Sequence, residues 1–143
     1  MSNRIYAFEM LEVYHVTNQL ARVLGGIMVS LPDRKKRVVK RLARAAILLA
    51  QGIAGGNAEM PPDEDLSPAE RLRFLELSAG SVTRIRCTLL ELRRQRCGNQ
   101  GLIGAGLELL ERIEAGLQEN RAHIKPGFDP CEFARLHQRR MPS

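Results

Sequence analysis

Apolar side chains recur at spacings of three and four along four stretches of this chain, the period of an amphipathic helix with one buried stripe. From about Phe8 to Ser30 the stripe is Val13, Val16, Leu20, Val23, Leu24, Ile27 and Leu31. Leu31-Pro32-Asp33 then stops one helix and starts another, because Pro breaks a helix interior but suits a first turn. The second stretch runs to about Ala54, with Val38, Leu42, Ala45, Leu49 and Ile53 inward, and Gly55-Gly56-Asn57 ends it. Ala58 to Leu66, with Pro61-Pro62 and four acids, reads as a connector. Ser67-Pro68-Ala69-Glu70 has the form of a capping box. The third helix carries Phe74, Leu75, Ser78, Ser81, Val82, Ile85, Leu89 and Leu92 to about Arg96, where Cys97-Gly98-Asn99 stops it. The fourth carries Leu102, Ile103, Leu107, Leu110, Ile113 and Leu117 to about His123. Gly101, Gly104 and Gly106 are expected to loosen its first turns, and Gly25-Gly26 implies a bend or a close neighbour in the first helix.

Four helices on short connections predict an all-α, antiparallel up-down-up-down four-helix bundle over residues 1–124. The tail, residues 125–143, has a composition that fits a short terminal turn near Cys131 to Gln138 and disorder equally. Composition agrees with helices: 44% hydrophobic, 4% aromatic and no Trp. A chain of 143 residues can bury a core without staples. Cys87, Cys97 and Cys131 form no CxxC pair and give neither a disulfide framework nor a zinc site, which fits a reducing cytoplasm. No apolar h-region opens the chain, and Arg22 and Arg44 interrupt the apolar runs short of membrane-spanning length, so a cytoplasmic protein with no membrane partner is expected.

Catalytic chemistry is not legible. His15, His123 and His137 lie in separate segments without partners at a telling spacing, and neither HExxH nor an inward carboxylate set is present. The expectation is therefore no catalytic residue, no metal, no cofactor and no enzyme. The glycines from Gly98 to Gly106 lack the Lys-Ser/Thr ending and preceding strand of a phosphate loop.

Charge changes the picture. Lys and Arg number 22 against 16 Asp and Glu, a net charge of +6, which raises the prior for a polyanionic partner. The excess concentrates in Arg34, Lys35, Lys36, Arg37, Lys40, Arg41 and Arg44, with only Asp33 to compensate. On a helical wheel Arg37, Lys40, Arg41 and Arg44 share the side away from the apolar stripe. Arg73, Arg84 and Arg94 repeat this more sparsely on the third helix, with Glu76 and Glu91 between them, so binding of phosphates and pairing with acids are both open there. Few aromatics are present for stacking, so the expected contact is to the RNA or DNA backbone, salt-sensitive and poor in sequence specificity.

The order Phe8-Glu9, Leu11-Glu12-Val13-Tyr14, Leu31-Pro32, Arg44-Ala45-Ala46, Ile53-Ala54 with Gly56, Arg73-Phe74-Leu75 and Gly80-Ser81 resembles a bacterial four-helix-bundle family. That family includes the rRNA intervening-sequence proteins and the accessory variability determinants of diversity-generating retroelements. The resemblance spans about Phe8 to Ala122. This chain departs from it at Gly52 and Gly55, where Asn and Glu are typical, at Ala79 in place of Arg, and at Arg84 in place of an acid, each change making the surface less acidic or less polar. The resemblance implies a closed homo-oligomer, typically a pentamer, and, for the accessory determinants, a basic protein that binds nucleic acid and partners a reverse transcriptase. Gly80, on the outward side of the third helix, is a candidate for close approach of another subunit or a tolerated surface glycine. The sequence thus points to a non-enzymatic homo-oligomeric nucleic-acid-binding accessory protein. The alternatives are an rRNA intervening-sequence type of protein, or a scaffold whose basic face docks an acidic protein.

Overall fold

The computed structural model describes residues 2–56 and 68–124, with side chains described from Glu12 to Ile53 and from Ala69 to Ala122. The expected connector, Ser67 of the capping box, the tail and Cys131 lie outside them. Four helices account for nearly everything described: α1 (Ser2–Ser30), α2 (Lys36–Gly56), α3 (Pro68–Arg94) and α4 (Gln100–Ile124), with one 3-10 turn at Asp33–Lys35. The protein is an all-α four-helix bundle.

Each helix packs on its neighbour in sequence and α4 closes back on α1, while among the described residues the diagonal pairs, α1 with α3 and α2 with α4, stay apart across the core. The closest associations are α1 with α4 and α2 with α3. The expected stripes supply the core, since Leu20, Leu24, Ile27, Leu42, Leu49, Ile53, Leu75, Ile85, Leu89, Leu92 and Ile103 are all fully enclosed. Each such side chain contributes about 1.5–3 kcal/mol by leaving water. Val23, Leu31, Val38, Leu102 and Leu107 are half-buried and pack around that centre, whereas Leu72, absent from the expected stripe, is buried outside the central cluster.

The ends of the helices differ from expectation in three places. α1 begins at Ser2, before the first apolar periodic position. α3 stops at Arg94, not near Arg96, because Arg96 itself turns left-handed (φ 52°). The Cys97 N–H then returns to Leu92 O at 2.9 Å and that of Arg96 to Arg93 O at 3.1 Å, satisfying the last carbonyls. α4 is regular from Gln100 despite its glycines, because Asn99 caps it: its Oδ1 accepts from Leu102 N at 3.1 Å and its carbonyl from Ile103 N at 3.0 Å. Gly98 (φ 85°) completes the corner, where Ser30 Oγ accepts from Asn99 N at 2.9 Å and ties the end of α1 to this turn. The close neighbour expected at Gly25-Gly26 is real at Gly26 alone. A Cβ there would lie 2.7 Å from Leu102 Cδ1 on α4, while Gly25 has open space.

Among the buried polar side chains, Thr17, Ser78 and Ser81 donate to the carbonyl four residues back. Asn120 is different. Its amide donates to Gly116 O at 2.7 Å, but its fully buried Oδ1 has no partner among the described residues. A buried acceptor left unpaired costs about 1–3 kcal/mol. Asn120→Leu is therefore expected to raise stability by about 1 kcal/mol, seen as a higher urea midpoint at unchanged m; a lower midpoint would show that the carbonyl is satisfied in solution.

Candidate functional site

Charge is segregated between the two helix pairs. The 3-10 turn and α2 carry seven Lys or Arg against Asp33 alone, and α3 carries six Arg against three Glu. α4 reverses the balance with four Glu against two Arg, and α1 is even. The surplus of positive charge thus belongs to the α2/α3 side of the bundle.

Register decides which of these cations meet. Gly52 of α2 lies against α3 so closely that a Cβ would stand 3.2 Å from Phe74 O and 3.3 Å from Ser78 N. Antiparallel pairing from that point places Arg41, Arg44, Ala45 and Leu48 across from Thr83, Arg84, Cys87 and Thr88, and these eight residues line one open groove of about 530 Å³. Arg41, Arg44 and Arg84 are all exposed, and among the described residues none of them makes an ion pair. Arg34, Lys36, Arg37, Lys40 and Arg73 are likewise exposed and unpaired among the described residues.

Two of the ten cations singled out from the sequence are held internally. Lys35 is half-buried and donates from Nζ to Gln95 Oε1 at 2.7 Å, fastening the α1–α2 corner to the end of α3. Arg94 donates to Glu91 from two of its three guanidinium nitrogens, Nε to Oε2 at 3.0 Å and Nη2 to Oε1. One turn separates the two residues, so the pair forms locally on α3 and Arg94 is not a free phosphate ligand. The Arg94 hydrogen bonds, helped by Gln95 Nε2 at 2.9 Å and the field of Lys35, hold the Glu91 carboxyl down at about 2, and the guanidinium is raised in turn. A lowered carboxyl favours the folded state above its unfolded value near 4.5 and loses that contribution as pH falls towards 2. Glu91 is therefore expected to remain ionised at pH 3, where ordinary glutamates have protonated; a carboxyl NMR titration with a midpoint near 4.5 would contradict the pairing.

Arg86, which the sequence did not distinguish, pairs with Glu114 and joins α3 to α4. Gly80 is exposed, and among the described residues nothing outside its own helix backbone and chain neighbours lies within 4 Å of a Cβ built on it. Cys87 is an exposed free thiol inside the groove and Cys97 is buried. No group of three or more metal-binding side chains occurs among the described residues, and no described helix is long and apolar enough to cross a membrane.

Comparison with known proteins gives no relative. No family model, no curated protein and no solved structure matches the chain. The α2/α3 groove and the cations around it are thus the observations from which function must be argued.

Proposed function

We propose that this protein is a non-enzymatic, homo-oligomeric accessory protein that binds the phosphate backbone of RNA or DNA through the α2/α3 face. The observation that carries the reading is that eight of the ten cations singled out from the sequence, on α2, α3 and the α1–α2 corner, are exposed and have no carboxylate partner among the described residues, three of them on one groove. Cations without internal partners remain available to displace the counterions condensed on a polyanion. Repetition around an oligomer multiplies a modest surface through avidity. Gly80, bare on the outer side of α3, and the exposed Ile47 and Leu77 fit contact with another subunit.

The resemblance of the sequence to accessory variability determinants extends the proposal to partnership with a reverse transcriptase in the cytoplasm. A reverse-transcriptase gene and a template repeat beside this gene are the arrangement this reading expects; a position inside an rRNA gene would favour the intervening-sequence type instead. Filter binding of RNA and DNA at low ionic strength tests the core proposal, and absence of retention for both would overturn it.

The exposed apolar side chains also favour a second reading. Ile47 lies one turn beyond Arg44 and Leu77 two turns before Arg84, and a phosphate backbone leaves such groups unused. A scaffold that docks an acidic protein would use them. Charge reversal of Arg37, Lys40 and Arg41 to Glu separates the two: loss of protein capture with nucleic-acid binding intact supports the scaffold, and the opposite outcome supports the backbone-binding face.

A further inference from the structure

The groove between α2 and α3 has more chemistry than phosphate attraction requires. Two other interhelical clefts offer a contrast. The α1/α4 cleft, about 230 Å³, contains Glu12 and Glu119 with Arg112, and the α3/α4 cleft, about 110 Å³, contains Glu114 with Arg121. Both present carboxylates to any entering group. The α2/α3 groove is larger, has no carboxylate in its lining, and combines three guanidiniums with Ala45, Leu48, Cys87 and two threonines. Thr83 donates its hydroxyl to Ala79 O at 3.1 Å and Thr88 to Arg84 O at 2.9 Å. Both hydroxyl protons are thereby directed into the helix, and the remaining lone pairs serve only as acceptors. Arginine serves only as a donor. The ligand that matches this lining has an anion, at least one hydrogen-bond donor and a flat or apolar body.

We infer that the groove is a subsite for an unpaired nucleotide of a single strand, with its own phosphate and those of its two neighbours at Arg41, Arg44 and Arg84 and its sugar and base along Ala45, Leu48, Thr83 and Thr88. The inference rests on the backbone-binding reading and specifies its target. At about 530 Å³ the groove falls within the range of small-molecule sites. A duplex keeps its bases stacked inside a rigid cylinder and offers a cleft between neighbouring helices phosphates and ribose hydroxyls but no base face. An unpaired base can be splayed out and stacked on a guanidinium plane, so the absence of aromatics from the groove does not bar it. A ribose 2′-hydroxyl or an exocyclic amine supplies the donor that the threonine oxygens accept.

The test uses the full chain carrying Cys131→Ser, so that N-ethylmaleimide meets exposed Cys87 while Cys97 stays buried. The adduct fills the groove with neutral bulk and leaves every cation in place. Fluorescence anisotropy then compares an oligo-uridine strand with a blunt-ended RNA duplex of equal phosphate number at low salt. The unmodified protein is expected to bind the strand about tenfold more tightly than the duplex, and the adduct to lose that preference with duplex affinity unchanged. Thr83→Leu, which narrows the groove from its rim and offers neither a ring to stack on nor an acceptor, is expected to act as the adduct does. Equal affinity for both probes, or a preference that survives both blocks, overturns the subsite and leaves the cationic face standing. Failure of both probes to bind overturns both readings, and binding of free uridine monophosphate as tight as that of the strand would assign the groove to a soluble nucleotide instead.

Discussion

Replacing Arg41, Arg44 and Arg84 together by Ala is expected to weaken binding to single-stranded RNA by about two to three orders of magnitude at about 50 mM salt. Each phosphate contact to a single strand contributes about 0.7 to the slope of log K against log[salt], so three lost contacts remove about 2. Over the roughly 1.3 decades between that salt concentration and 1 M, this change in slope gives the stated loss. The fold should tolerate the change, because all three side chains are exposed and none is ion-paired among the described residues; such substitutions fall within about 0.5 kcal/mol of neutral. Arg112→Ala with Arg121→Ala on α4 is the control. It lowers net charge but leaves the α2/α3 face intact, and a comparable loss of affinity from it would mean that overall charge, not this face, drives binding.

The second large effect is on the packing that forms the groove. Gly52→Ala is expected to destabilise the protein by about 1–3 kcal/mol, because the new Cβ would stand 3.2 Å from Phe74 O and 3.3 Å from Ser78 N. Those are backbone atoms of α3, so α2 must shift to relieve the contact. Gly80→Ala, by contrast, meets open space, and should stabilise the isolated subunit by about 0.5–1 kcal/mol through helix propensity. Denaturant unfolding checks both. Size-exclusion chromatography of Gly80→Ala adds a test of assembly, since a close subunit contact at Gly80 would make the same substitution reduce the oligomer. The Gly52 result also bears on binding, because displacement of α2 moves Arg41 and Arg44 relative to Arg84.

Much of this arrangement is written in residue spacing, and part of it is not. The apolar stripes of α2 and α3 specify which faces are buried, so the exposure of Arg37, Lys40, Arg41, Arg44, Arg73 and Arg84 follows from periodicity alone. A helical wheel is silent about level, however. That Arg41, Arg44 and Leu48 share a groove with Thr83, Arg84 and Cys87 depends on the antiparallel register fixed where Gly52 meets Ser78, a contact between residues 26 positions apart. The groove and its lining residues Ala45, Leu48, Thr83, Cys87 and Thr88 are for this reason not legible in the sequence.

Local competition explains the remaining differences. Glu91 and Arg94 are three apart, a spacing at which an ion pair is foreseeable, and the structure shows the acid taking the cation. Periodicity extends a helix over Lys35, but the residue sits in a 3-10 turn and reaches Gln95 instead of solvent. The glycines near the start of α4 suggest a loose helix when propensity is weighed without Asn99, whose cap begins the helix cleanly. Gly106 is buried against Leu89, Val23 and Ile27, so there the missing side chain accommodates packing between helices.

The most direct test of the cationic face is the salt dependence of single-stranded RNA binding by the unmodified full chain. Engagement of even four of the eight unpaired cations gives a plot of log K against log[salt] with a slope of about −3, and more contacts make it steeper. A slope near zero, or no measurable binding at low salt, would contradict the account.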